Sequence, residues 1–226
     1  MAKSLFYAAV KYKASNLKKK AKFNSPFYDK YTFKKIREKL GGRIRLIITG
    51  GAQNSEKVME FFKIAFSTNL CEIYGQTESS GASFMTVPYE HRNYICGGPT
   101  VGTEFKLQDV PTMSYLHTDT PYPRGEICIR GPSVFAGYLN EPKKSSIDKD
   151  GWLHTGDIGM IREGGAVQII DRMSNFFKLN HGDYLSPEKI ERAYKESELV
   201  KQIFVYGDSS REHVVAIIVP EERLLK

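Results

Sequence analysis

Apolar residues recur at helical spacing twice before the first glycine pair. Over residues 4–20, Leu5, Ala8, Ala9, Tyr12 and Leu17 fall on one side, with Lys11, Lys13 and Lys18 to Lys20 largely elsewhere. That pattern predicts an amphipathic helix. Ser25-Pro26 breaks it, and residues 27–40 read as a second helix ended by Gly41-Gly42. Residues 43–49 (RIRLIIT) switch to a β-branched run, a strand stopped by Gly50-Gly51. Ser55 then caps a helix to about Phe66, with Val58, Phe61, Phe62 and Ala65 on its buried face. Residues 70–74 (LCEIY) give another strand, stopped at Gly75, with a further helix start near Thr77-Glu78.

Strand, helix, strand in this order is a parallel βαβ unit. Both glycine stops therefore fall at carboxyl ends of parallel strands, the edge where open α/β sheets bind ligands. From about residue 100 the period shortens: 104–108, 125–130, 134–139, 157–162 and 166–171 alternate as strands of a small antiparallel sheet or barrel. After Asp171-Arg172 come an irregular stretch, a Ser186-capped helix with Pro187 in its first position, and strands at 202–206 and 214–219. The fold class is thus α/β in three parts. Residues 1–99 hold helices and the βαβ unit, 100–171 an antiparallel β-subdomain, and 172–226 a hinge and the start of an α+β carboxyl-terminal domain.

Composition changes this picture in two respects. The 226 residues carry 33 Lys+Arg against 26 Asp+Glu, a net +7, but residues 1–45 alone hold 14 basic and 2 acidic side chains. Such a segment suits an anionic membrane surface or nucleic acid, or is simply a solvated helix face. No nucleic-acid motif accompanies its aromatics, so no nucleic acid is expected. Three cysteines without a CxxC spacing predict reduced thiols and a cytoplasmic chain, and no apolar run reaches a membrane span.

Four segments could carry chemistry. Gly50-Gly51-Ala52 lets a ligand approach the backbone, or is an ordinary turn. In Tyr74-Gly75-Gln76-Thr77-Glu78 the Tyr74 ring can stack, Thr77 can donate to a phosphate oxygen or cap a helix, and Glu78 can hold a hard cation. In Gly151-Trp-Leu-His-Thr-Gly-Asp157 a carboxylate beyond a Thr-Gly turn suits a pair of vicinal hydroxyls, while His154 reads as structural. In the stretch from Asp171 to Pro187, Arg172 and Lys178 could address phosphate or ribose oxygens, and Gly182 offers close approach. There is no GxSxG, HExxH, GxxxxGK[ST] or GxGxxG, and the five histidines are dispersed without ligand spacing.

Taken in order, SPFYDKYTFKKIREKLGGRIRLIITGGA, YGQTESSG, GEICIRGPSVFAGYLNEP, DGWLHTGDIG and IIDRMSNFFKLNHGDYLSPEKIE strongly resemble the adenylate-forming acyl-CoA synthetases, in particular the long-chain fatty acyl-CoA synthetases. The resemblance covers about residues 20–226. It implies a ligase that joins a long-chain fatty acid to CoA through an acyl-adenylate, using ATP and Mg²⁺ with CoA as a substrate. It implies that Gly50, Gly51, Ala52 and Tyr74 contact adenine, Thr77 the phosphoryl end and Glu78 the Mg²⁺. Asp157 and Arg172 would hold the ribose, Lys178 would assist adenylation, and Gly75, Gln76 and residues 80–84 would border the acyl site. The family's phosphate loop and late catalytic lysine are missing, no Gly-Lys dipeptide occurs, and Ser174 stands at the hinge position. The expectation is a piece of a longer synthetase, inactive alone, whose parent is cytoplasmic with optional peripheral contact on an intracellular membrane. The other readings are a natural truncation acting as a non-catalytic nucleotide-binding or scaffold module, and a basic membrane- or RNA-binding protein.

Overall fold

The computed structural model describes residues 3–52, 54–140, 146–179, 184–207 and 213–224, without the Lys178 side chain. They fall into two compact units: residues 1–105, 129–153 and 161–168, and residues 106–128, 154–160 and 169–226. No helix among the described residues is long and apolar enough to cross a membrane.

The first unit begins with α1 (Lys3–Lys20), α2 (Pro26–Tyr31) and α3 (Lys34–Glu38). The expected single helix over 27–40 is therefore two. The chain breaks at Thr32 and Phe33, both buried, and the Phe33 ring joins Ala9, Ala65 and Phe66 in the core. Burying one such aromatic side chain contributes about 1.5–3 kcal/mol, more than the helical hydrogen bonds the break gives up.

β1 (Leu46–Gly50), α4 (Glu56–Phe66) and β2 (Asn69–Tyr74) form the expected right-sized crossover, with β1 and β2 parallel and Leu46 to Gly50 opposite Asn69 to Ile73. Ser55 caps α4 by accepting from the Val58 N–H. β3 (Phe84–Met85) and β4 (Gly98–Pro99) extend that sheet antiparallel in the order β1-β2-β3-β4.

Two lysines overturn the expected faces. Lys13, expected away from the apolar side of α1, is 1% exposed; its ammonium donates to Asp29 at 2.5 Å, to Ser67 and to the Ile64 carbonyl, and lies over the Phe33 ring. Burial pushes its pKa down despite Asp29. On α4 the buried positions are Met59, Lys63, Ile64, Ala65 and Phe66, whereas Val58 and Phe62 are exposed. The Lys63 ammonium donates to the carbonyls of Glu90 and Arg92 and to Asn93 Oδ1, at 3.0–3.1 Å, so its hydrophobic stem follows into the interior.

That same 90–93 loop holds a marked carboxylate. Arg92 grips both oxygens of Glu90 at 2.8 and 3.0 Å and holds its pKa down to about 2. A depressed carboxylate stabilises the fold above its unfolded pKa, and the contribution fades as pH falls towards about 2. Arg92→Gln is therefore expected to raise the Glu90 pKa towards the ordinary carboxylate range and to lower stability at neutral pH. That loss should shrink in acid. Carboxyl titration by NMR and denaturant midpoints at both pH values check it; an equal loss at both would disprove the linkage.

β5 (Glu104–Gln108), β6 (Arg124–Arg130), β7 (Leu153–Ile161) and β8 (Val167–Arg172) form a second four-stranded sheet in sequence order. Residues 134–139, read as a strand, are irregular instead, with Gly137 at φ 133°. In the second unit β9 (Phe177–Lys178) pairs with β10 (Tyr184–Leu185), and α5 (Pro187–Lys195) packs on β11 (Val200–Tyr206). Ser186 caps α5 through the Lys189 N–H, with Pro187 in first position as expected. Ile203 and Val205 are buried, and Glu191 accepts from the Val205 N–H. β12 (Val215–Pro220) pairs antiparallel with β11, and all six of its residues are exposed.

Candidate functional site

The parallel register sets Gly50 opposite Ile73, so β1 and β2 end together. A Cβ at Gly50 would stand 2.5 Å from the Ile73 side chain and 2.7 Å from its carbonyl oxygen, so this position closes only with glycine. Gly51 follows at φ 84°, a left-handed turn that carries the chain away from the strand. Asn54 braces the turn by donating to the Thr49 hydroxyl at 2.9 Å.

After β2 the chain folds back on itself. A Cβ at Gly75 would meet the Gly81 carbonyl at 1.5 Å, so the 76–81 loop rests directly on the Gly75 backbone. Gln76, not Thr77, caps the short turn Thr77–Ser79. Its side chain accepts from the Ser79 N–H, and the Ser79 hydroxyl accepts from the Gln76 N–H at 3.1 Å. Thr77 is the first residue inside the turn.

This loop and the Gly51 turn border an open cavity of about 470 Å³ lined by Gly51, Ile73, Gly75, Gln76, Thr77, Ser80 and Gly81. That is the volume of an ordinary small-molecule site. The capping bond fixes the Gln76 amide, and its buried Nε2 has no hydrogen-bond partner. A buried amide N–H left unpaired costs about 1–3 kcal/mol.

Of the residues expected from sequence, the cavity gathers Gly51, Gly75, Gln76, Thr77, Ser80 and Gly81. Gly50 and Ala52 flank it in the chain. The Tyr74 ring packs against Phe84 with centroids 5.8 Å apart. Glu78 is tethered: the Tyr138 hydroxyl donates to its Oε1 at 2.5 Å, and its carbonyl accepts from the Phe135 N–H at 2.9 Å. These two bonds explain why residues 134–139 leave the strand pattern. Tyr138 is the residue the sequence does not reveal, since it lies 60 positions from Glu78.

The second unit holds the other expected pair. Asp157 on β7 is 8% exposed, and Arg172 at the end of β8 reaches its Oδ1 with Nε at 3.1 Å. Gly156, at φ 72°, turns the strand locally, while the Thr155 hydroxyl donates to the Ile127 carbonyl and accepts from the Asp157 N–H. Glu126 Oε1 accepts from the Gly156 N–H at 3.0 Å. Beyond Arg172, Asp171 is buried and accepts from the Ser186 hydroxyl, joining the end of β8 to the start of α5. A buried carboxylate beside a half-exposed guanidinium can accept from hydroxyls and donate to an anion. Lys178 sits in β9 opposite Tyr184; its side chain, like Gly182, lies outside the described residues.

A hard divalent cation fits the chemistry of Glu78, because magnesium is commonly held by one or two carboxylates plus substrate phosphates. The other expected groups offer oxygen and nitrogen to a nucleotide.

Residues 4–139 match the profile of the family described as AMP-binding enzyme. Long chain acyl-CoA synthetase 6, peroxisomal, of Arabidopsis thaliana is 44% identical over 219 residues, 94% of this chain and 31% of the relative. Long-chain-fatty-acid–CoA ligase 1 of Homo sapiens is 42% identical over 204 residues, 89% of this chain and 29% of the relative. The chain thus spans under a third of the length of these relatives. Among solved structures, the A domain of a carboxylic acid reductase from Segniliparus rugosus, in complex with AMP and a carboxylic acid, superposes with a TM-score of 0.70 at 31% identity. It covers 98% of this chain and 34% of that one. An o-succinylbenzoate coenzyme A synthetase from Bacillus subtilis in complex with ATP and magnesium ion superposes with a TM-score of 0.63 at 25% identity, covering 78% and 37%.

Proposed function

The chain belongs to the AMP-binding enzyme family, and from that premise we propose that it supplies part of the nucleotide site of an ATP-dependent long-chain fatty-acid–CoA ligase. The observation that carries the reading is the cavity at the joint carboxyl ends of β1 and β2, lined by the Gly51, Gly75 and Gly81 backbone with Gln76 and Thr77 beside it. A planar base can lie against the Gly51 backbone, where no side chain intervenes. Thr77 would address the phosphates with its hydroxyl, and in the second unit Asp157, with Arg172 beside it, would take ribose hydroxyls.

The reaction balances in two steps. A fatty-acid carboxylate oxygen attacks the α-phosphorus of ATP, and pyrophosphate leaves with the bridging electron pair. The CoA thiolate then attacks the acyl carbonyl, and AMP departs. Glu78 would hold Mg²⁺, which supplies charge neutralisation at the phosphates when bound. Lys178 would act in the first step, and Gly50, Ala52 and Tyr74 would border the base. Tyr138 keeps the Glu78 carboxylate in one orientation. The basic amino-terminal segment, with exposed Tyr7, Tyr12, Phe27 and Tyr31, is the face suited to an anionic membrane surface of the cytoplasm.

A chimera tests the reading. Residues 4–224 replacing the matching segment of the Arabidopsis relative should retain palmitate-dependent pyrophosphate release and palmitoyl-CoA formation. Residues 1–226 alone should make no measurable acyl-CoA. A chimera that binds AMP but releases no pyrophosphate with palmitate would overturn the ligase assignment. Turnover by the 226 residues alone would overturn the view that the site is shared with other segments.

A further inference from the structure

Glu126 and Cys128 alternate on β6 and so share one face of the strand. His154, on the neighbouring strand β7, joins them. His154 Nδ1 lies 2.9 Å from Glu126 Oε2 and 3.6 Å from Cys128 Sγ, and the three ligand atoms all lie within 4.8 Å of one another. Cys128 is fully buried, Glu126 is nearly so, and the His154 side chain is 35% exposed. The histidines dispersed along the sequence therefore do not exclude a ligand set: fold, not spacing, assembles this one.

One ring nitrogen faces both a carboxylate oxygen and a sulfur. A neutral imidazole nitrogen holds either one hydrogen or one lone pair, so a hydrogen bond at Nδ1 serves only one of them well. A cation at the point where the three atoms converge serves all three. A tetrahedral zinc with bonds of ~2.3 Å to sulfur and ~2.0 Å to nitrogen sets those atoms ~3.6 Å apart, matching the observed separation. The oxygen–nitrogen distance would open from 2.9 Å to ~3.3 Å by the same geometry.

We propose that Glu126, Cys128 and His154 form a binding site for a thiophilic divalent cation, with Zn²⁺ the best match. A thiolate and an imidazole disfavour magnesium and calcium, which separates this site from the oxygen ligand at Glu78. On binding, the Cys128 thiol releases its proton to solvent and the imidazole hydrogen moves from Nδ1 to Nε2. The exposed side of His154 is the entry path, and water completes the tetrahedron. Glu126 Oε1 keeps its bond from the Gly156 N–H, so the metal ties the strand pair to the turn before Asp157.

Cobalt gives a direct test on the 226-residue chain, reduced and stripped with a chelator. One equivalent of Co²⁺ should produce a thiolate-to-metal charge-transfer band and the intense visible bands of tetrahedral cobalt, and Zn²⁺ should displace it. Cys128→Ser should abolish the charge-transfer band. Glu126→Gln and His154→Gln should each weaken Zn²⁺ binding by roughly tenfold or more, while Cys71→Ser and Cys96→Ser leave it unchanged. Zinc-edge X-ray absorption on the unmodified chain reports one sulfur among nitrogen and oxygen neighbours, and does so without relying on any variant folding. Absence of one-to-one binding, a bound metal with no sulfur neighbour, or affinity unchanged in all three ligand variants would overturn the site.

Discussion

Changing Glu78 to Gln in the chimera is expected to slow adenylation by roughly a hundredfold or more. Thioester formation from preformed acyl-adenylate should stay within about threefold. Gln is the informative substitution because it keeps the side-chain length and a carbonyl oxygen to which Tyr138 can still donate. The tether to residues 135–138 survives, and only the charge is lost. Pyrophosphate release measures the first half-reaction, and acyl-CoA formed from supplied palmitoyl-adenylate measures the second. Equal losses in both would make Glu78 a structural carboxylate that anchors the 134–139 segment, and the metal role would fall.

Asp157→Asn should weaken ATP and AMP binding by about tenfold or more, a loss of ~1.4 kcal/mol. The affinity for 2′,3′-dideoxy-ATP should barely change. A carboxylate can accept from two hydroxyls through charge-assisted bonds, whereas an amide has one acceptor oxygen and an unwanted donor. The substitution also breaks the 3.1 Å pair with Arg172, and the dideoxy nucleotide separates the two effects. A guanidinium displaced from its place would weaken both nucleotides alike, and that outcome would leave Asp157 as a partner of Arg172 with no grip on the ribose. Calorimetry on both proteins with both nucleotides closes the cycle.

What the sequence disclosed was whatever local chemistry decides. Gly50 and Gly75 mark strand ends because backbone must pass where a Cβ would collide with Ile73 or Gly81. Ser55 and Ser186 mark helix starts because an unpaired N–H needs an oxygen. The ordered segments from residue 25 to 191 pointed to the family that residues 4–139 match. Tertiary contacts decided the rest. Residues 134–139 alternate like a strand, but Glu78 holds the backbone at Phe135 and the hydroxyl of Tyr138. Lys13 reads as a solvent lysine until Asp29, Ile64 and Ser67 converge on its ammonium. The cap at 76–79 passed from Thr77 to Gln76 because the longer side chain reaches back to Ser79. No local pattern reports such distances.

The uncovered ribbon formed by β11 and β12 bears on how this chain behaves at high concentration. Ile217, Ile218 and Val219 on one strand and Phe204 and Tyr206 on the other are exposed, and among the described residues Val215–Pro220 pairs with β11 alone, in a two-stranded sheet. An apolar, β-branched strand with an open hydrogen-bonding edge and no internal charge is a template for another strand. Pro220 ends the strand, and the charged gatekeepers Glu221, Glu222 and Arg223 follow just outside it. The isolated chain is therefore expected to associate through this six-residue edge at high concentration. A lysine at Ile217, whose side chain is 68% exposed, would improve solubility through charge repulsion between ribbons while leaving residues 50–78 untouched.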